Sequence, residues 1–242
     1  MTWGPIAIQP FGVLVLTGCI VGFLVTRWYA GSQGLAQDRF FELAIWALVP
    51  GFTLSHLLSM LLYFPGAVRS NPISLINLAG SMSSFGGFFG GGLGAIIYLK
   101  INKLPVLEYG DASLVGLVVG WFFGRLGCTI AHDHPGIQTD FFLAVKFPGG
   151  ARHDLGFYEW LFTIGLIVIL LFIRRAGLPP GAIIGAVFIL YAPVRFLLDF
   201  LRVGDKLYFG LTPGQYFSVI LIPLGIYFLL KAYKKNRLLL PS

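Results

Sequence analysis

The chain of 242 residues is 57% hydrophobic and only 11% charged, against roughly 25% charged residues in a soluble domain. It cannot clothe a globular surface with charge, so part of its solvent is lipid. The formal net charge of +7 does not point to nucleic acid, because the lysines and arginines sit at the ends of apolar runs, where membrane orientation requires them. Cys19 and Cys128 lie far apart and make neither a CxxC pair nor a disulfide framework.

Apolar runs of roughly 17–25 residues can span a bilayer as helices. Seven are expected, at about 10–28, 42–63, 74–99, 113–131, 157–173, 181–201 and 213–231. No polar linker of any size divides them, so the reading is one all-α, polytopic membrane domain over residues 1–242. The first run is too long and too poorly flanked for a cleaved signal peptide. In the second, His56 beside Ser55 reads as a hydrogen-bonded core residue. In the third, "GGFFGGGLG" (86–94) follows no strand, so it is no nucleotide loop; it lets backbone approach backbone.

Orientation follows from the cations. With the N-terminus outside, the inner loops and tail hold Arg27, Arg39, Lys100, Lys103, Arg174, Arg175, Lys231, Lys234, Lys235 and Arg237. Arg69, Lys146, Arg152, Arg202 and Lys206 lie outside. Ten against five favours N-out, C-in. Helix four then exits outside through "GRLGCTIAHDHPG" (124–136), helix five enters after "GGARHDLGFYEW", and helix six exits through "YAPVRFLLDFLRVGD". Three polar clusters converge on the outer face, with His132, His134 and His153 among them.

Each cluster supports more than one chemistry. An arginine at the centre of a lipid-facing span costs about 2.5–3.5 kcal/mol, so Arg125 is expected to face the bundle interior, as a packing ion pair or as a clamp giving two parallel hydrogen bonds to a phosphate. Arg195, Asp199 and Arg202 are spaced to share one helical face: the carboxylate either holds both guanidiniums or orients Arg202 toward an anion. His132 and His134, alternate residues of an extended loop, point the same way and share either a metal completed by His153 and Asp154 or acid–base work with Asp133. Tyr158 suits the interface belt, and Glu159 the dipole of a first helical turn.

Taken together, these stretches resemble the prolipoprotein diacylglyceryl transferase family, from "GVLVLTG" to "TPGQYFSVILIPLGI". "MSSFGGFFGG" (82–91) resembles the family's Met-Ser-Phe-His-Gly-Gly, and "GRLGCTIAHDHPG" its Gly-Arg-hydrophobic-Gly-Asn signature ending in Asn-Gly-Glu. "RHDLGFYE" resembles Arg-His-Pro…Leu-Tyr-Glu, and "RFLLDFLRVGD" the run Arg-Phe…Glu-Phe-hydrophobic-Arg. The resemblance implies a seven-helix bacterial inner-membrane enzyme with its active site facing the periplasm. Such enzymes move a diacylglyceryl group from phosphatidylglycerol to the lipobox cysteine of a preprolipoprotein, without metal or organic cofactor. It implies that Arg125 and Arg202 are functional arginines and Gly136 a required glycine. Asp133 stands for the signature glutamate and Asp199 for a second acid.

The chain departs from the pattern at Val15, Phe85, Cys128 and Ala131, where the family has tyrosine, histidine and two asparagines. Arg125, His132, Asp133, His134 and Arg202 are therefore the expected catalytic set. Gly136, Arg152, His153, Tyr158, Glu159, Arg195 and Asp199 are the expected substrate-binding set. The expected partners are a phosphatidylglycerol-like lipid, a lipobox peptide and the bilayer. Three alternatives stand beside this: the same transfer to another acceptor, lipid binding without turnover, and a metal-dependent membrane hydrolase.

Overall fold

The computed structural model describes residues 2, 3, 6, 7, 9–77, 81–205 and 207–239. Two short antiparallel strands, β1 (Thr2–Trp3) and β2 (Ile6–Ala7), precede α1 (Pro10–Ser32). Then come α2 (Arg39–Tyr63), α3 (Pro65–Ser70), a 3-10 turn (Pro72–Leu75), α4 (Ser84–Ile101) and α5 (Val106–Ala131). A small sheet of β3 (Pro135–Gln138), β4 (Val145–Phe147) and β5 (Gly150–Asp154) follows, and α6 (Leu155–Arg175), α7 (Ala182–Asp199) and α8 (Pro213–Leu239) complete the chain. Every helix but α3 is long and apolar enough to cross a membrane, so this is a multi-pass membrane protein with seven spans. Lys206 and the side chains of Lys235 and Arg237, counted above for orientation, lie outside the described residues.

Two spans start elsewhere than expected. The third begins at Ser84, not near 74. Pro65 and Pro72 each sit in a first turn, where proline's missing N–H costs nothing, and residues 65–75 form α3 and the 3-10 turn. The chain then returns to α2: Ser55 Oγ donates to Ser83 O at 2.8 Å, and His56, fully buried, has Nδ1 3.2 Å from Ser81 O. The fourth begins at Val106, not 113. Glu108 in its first turn suits the helix dipole, and Asp111 is buried against α7 rather than exposed to lipid.

Backbones approach closely where glycines line the crossing. α1 packs on α5 and α2 on α4. A Cβ at Gly22 would stand 2.7 Å from Gly116 O, and one at Gly120 2.7 Å from Gly18 O. Without a hydrophobic drive between helices in lipid, such contact is what holds spans together.

Asp111 sets the register that matters for the site. Its Oδ2 accepts from Gly181 N at 2.7 Å and its Oδ1 from Ile184 N at 2.9 Å, capping the start of α7 from α5. The two helices run parallel from that pin. Fourteen residues on from Asp111 lies Arg125, and fourteen on from Gly181 lies Arg195, each about 21 Å of helix away. The cap at one end levels two arginines at the other.

Candidate active site

Arg125 is only 8% exposed, as expected of an arginine facing the bundle interior. Its guanidinium lies 5.4 Å from the Trp121 ring, which packs on Tyr191 of α7 at 4.8 Å. Above this aromatic floor runs a chain of alternating charges. Arg125 Nη2 meets Glu159 Oε2 at 2.6 Å, and Arg195 Nη1 donates to Glu159 Oε1 at 2.7 Å. Arg195 Nη2 meets Asp199 Oδ1 at 2.8 Å. Arg202 Nε lies 3.9 Å from Asp199 Oδ1 and 2.7 Å from Asp205 Oδ2.

Arg125 and Arg202 thus stand at the same end of the bundle, but Arg195, not Arg202, shares a carboxylate with Arg125. Asp199 holds both neighbouring arginines, the arrangement that their spacing on one face allows. Glu159 corrects the reading of it as a dipole-matched residue of a first turn. It is 2% exposed and bridges two arginines from other helices, an interior role that only helix packing reveals. Arg125, Glu159 and Arg195 carry a local +1, and Asp199, Arg202 and Asp205 a local −1, so the positive end lies toward α5. Arg125 Nε is buried with no hydrogen-bond partner among the described residues.

The site is roofed by the sheet. β5 pairs antiparallel with β3 and β4, an element absent from the sequence expectation. The sheet is tied down on both sides: Ile137 N donates to Leu201 O at 2.9 Å, and Leu155 N to His134 O at 3.1 Å. Gly136 bridges to Arg202, and a Cβ there would stand 2.8 Å from Leu201 O. Arg152 Nη1 donates to Gly136 O at 3.0 Å, so Arg152 braces β3 rather than joining the buried arginines. His153 Nδ1 lies 2.9 Å from Tyr158 Oη, giving Tyr158 a partner beyond the membrane interface.

The histidines do not pair as expected. His132 closes α5 in a left-handed conformation, φ 49° and ψ 40°, not in an extended loop. That turn separates its ring from His134. His132 Nδ1 lies 2.6 Å from Asp154 Oδ2, whereas His134 Nδ1 faces Asp133 Oδ1. The alternative of a metal held by His132, His134, His153 and Asp154 is therefore not assembled. Asp154 is fully buried, and its other oxygen accepts from Phe157 N at 3.1 Å, capping α6.

Thr212 and Gln215 were missed altogether. Thr212 Oγ1 donates to Asp199 Oδ2 at 2.6 Å and accepts from Gln215 N at 3.1 Å, while Thr212 N donates to Gln215 Oε1 at 2.9 Å. This is a capping box at the start of α8, legible in "TPGQ". It places α8 against the acid that orients two arginines.

Known proteins match the chain over most of its length. The family described as prolipoprotein diacylglyceryl transferase matches residues 1–231. A phosphatidylglycerol–prolipoprotein diacylglyceryl transferase of Shouchella clausii is 29% identical, over 92% of this chain and 85% of its own. One of Allorhizobium ampelinum is 29% identical over 99% and 91%, and one of Rhizobium meliloti 29% over 96% and 90%. Seven spans in the expected order, buried arginines in the matching segments and a family match over nearly the whole length lead to one conclusion: the chain belongs to the prolipoprotein diacylglyceryl transferase family.

Proposed function

We propose that the protein transfers a diacylglyceryl group from a phosphatidylglycerol-like lipid to the cysteine thiol of a lipobox peptide. The observation that carries this is the buried pair Arg125 and Arg195 on one carboxylate, with the Arg125 Nε hydrogen unpartnered among the described residues. A buried donor left unmade costs about 1–3 kcal/mol, and a phosphate oxygen is the acceptor that both the local positive charge and the guanidinium geometry favour. Arg202, one link further along, steadies Asp199 and the roof.

In this reading the lipid enters from the bilayer with its phosphodiester at Arg125 and Arg195. The acceptor thiolate attacks the glycerol carbon. A C–S bond forms, the C–O bond to phosphate breaks, and glycerol phosphate leaves with the electron pair. The arginines stabilise the charge that develops on it. A thiol is a poor nucleophile until it loses its proton. His132 takes that proton on Nε2, since Asp154 engages Nδ1 and fixes the tautomer by the logic of a carboxylate-held imidazole.

The site faces the periplasm and the C-terminus the cytoplasm, in a bacterial inner membrane. Arg27, Arg39, Lys100, Lys103, Arg174 and Arg175 lie at the helix ends away from the site, and the positive-inside rule supports this. Transfer to a different acceptor is a second reading. It is favoured by Phe85, which packs between Tyr63 and Phe217 at 6.1 and 6.0 Å, where the family motif has a histidine.

The test is transfer in proteoliposomes of labelled phosphatidylglycerol with a lipobox peptide, read as lipidated peptide and released glycerol phosphate. The Arg125→Ala variant is expected to lose both products. Undiminished transfer by that variant contradicts the clamp, and loss of a lipid class with normal lipoproteins in a deletion strain favours the second acceptor.

A further inference from the structure

The sheet that roofs the site has one open edge among the described residues. β5 lies between β3 and β4, and β3 is closed on its far side by Leu201 and Arg202. β4 pairs with β5 alone. We propose that this edge, at Lys146, binds the acceptor peptide as an added antiparallel strand, with the acceptor cysteine beside Phe147. The identity of the guest rests on the proposed transferase function; the open edge does not.

Register decides which backbone groups are free. Val145 pairs with Arg152, Lys146 with Ala151 and Phe147 with Gly150. Ala151 O accepts from Thr139 N at 3.1 Å, on the β3 side. The polar groups of Ala151 therefore point away from β4, and Lys146 opposite it belongs to a pair without mutual hydrogen bonds. The N–H and C=O of Lys146 accordingly face outward, and they make no other backbone hydrogen bond among the described residues. An extended peptide takes up such groups, main-chain bonds giving affinity and alternate side chains specificity.

Alternation along the strand places the chemistry. Lys146 is exposed, while Val145 and Phe147 are half-buried on the other face. The Phe147 and His132 rings pack with centroids 5.5 Å apart, and the His132 side chain is 48% exposed. In an added antiparallel strand the peptide residue opposite Lys146 exchanges both hydrogen bonds with it. The residue before it stands opposite Phe147 in a close pair, with Cα atoms about 4.5 Å apart. A cysteine there shares a face with Phe147 and with the imidazole that takes its proton. The residue after the cysteine is then the one that pairs with Lys146.

The edge is formed before any guest arrives. The hairpin turns through Pro148 and Gly149, whose φ is 89°, and Gln138 Nε2 donates to Gly149 O at 2.8 Å. Only the peptide has to be ordered on binding. A second copy of the chain is the poorer guest, because two such edges paired about this point would set Lys146 against Lys146. Like charges directly opposite are destabilising, and a lysine on a short edge strand guards against that contact.

The test uses the full chain in detergent and lipobox peptides with a single N-methyl group on the cysteine, on the residue after it, or on the next one. Binding is read by fluorescence anisotropy of the labelled peptide, and transfer by lipidated product. Methylation of the residue after the cysteine is expected to weaken binding and raise the peptide KM about tenfold, the upper range for one hydrogen bond. The other two N–H groups point away from β4, so methylation there is expected to leave binding near that of the unmodified peptide. Lys146→Pro removes the outward N–H, which an edge strand tolerates. It is expected to raise the peptide KM about tenfold, with the lipid KM and the melting temperature unchanged. Equal sensitivity at all three positions, no peptide binding, or an unaltered peptide KM in Lys146→Pro overturns the edge. Transfer that continues without positional sensitivity overturns the edge and leaves the transferase reading standing. Position-sensitive binding without any transfer supports the edge and counts against the transferase reading.

Discussion

Glu159 Oε1 of α6 and Arg195 Nη1 of α7 stand 2.7 Å apart in the protein interior, while the other carboxylate oxygen meets Arg125 of α5 at 2.6 Å. One acid thus joins three spans at one point. Two guanidiniums held at a fixed separation are pre-organised for an oxyanion, and no side-chain ordering remains to oppose binding.

Replacing Glu159 by glutamine is expected to destabilise the protein by about 3–5 kcal/mol, because buried Arg125 then loses its counter-ion beside an Arg195 that keeps only Asp199. Thermal unfolding in detergent measures this. Added phosphatidylglycerol is expected to recover part of the loss, since its phosphate takes the place of the missing charge.

Arg125→Lys and Arg195→Lys are each expected to lower transfer by about 100-fold or more, the effect of removing one donor to a developing charge, since an ammonium does not reproduce the planar fork. Arg202→Lys is expected to cost less, because Arg202 reaches the cluster only through Asp199 and is the most exposed of the three. Initial rates at saturating peptide rank the variants. Equal losses at 125 and 202 with none at 195 would reverse the assignment.

Gly136→Ala is expected to cost roughly 1–3 kcal/mol, the usual penalty of overpacking. The added methyl would meet Leu201 O at 2.8 Å and His153 Cβ at 3.1 Å. Because Gly136 also bridges to Arg202, the roof lifts from α7. Protease sensitivity of residues 135–154 is expected to rise alongside the fall in melting temperature.

Asp154→Asn tests the proton acceptor. The amide oxygen can still cap α6, so folding is expected to change little. His132, however, loses the charge that fixes its tautomer. The expected result is a fall in kcat with an unchanged KM for the lipid, measured with peptide in excess.

Asp111→Ala acts from the far end. Loss of the α7 cap is expected to cost about 0.5–2 kcal/mol. The register that levels Arg125 with Arg195 then loosens, and transfer falls although the substitution lies about 21 Å of helix from the arginines. Asp111→Asn, which keeps one acceptor oxygen, is expected to restore most of both in the same assays.

Much of this architecture was legible from residues alone. Span number follows from apolar run length, and the burial of Arg125 follows from the cost of a charge in lipid. The Arg195–Asp199–Arg202 face follows from helical spacing, and the close approach of α4 to α2 follows from the glycine run at 86–94. All of these are local properties, readable within one turn or one span. The start of α4 was not, because prolines shape residues 65–75 and α2 holds residues 81 and 83. His132 was misread because an alternating pattern was taken as extended, and one left-handed residue turned its neighbours apart.

The amino-acid order by itself determined how many times the chain crosses the membrane, which of its segments carry charge and at which ends those charges gather, because hydropathy and helical period act over neighbouring residues. Only the tertiary structure decided that Glu159 belongs to Arg125 and Arg195, that Asp154 belongs to His132 and that Thr212 belongs to Asp199. The sequence separations in these pairs carry no periodic signal. What selects each partner is that a buried charge or donor must be matched by whichever complementary group helix packing brings within about 3 Å.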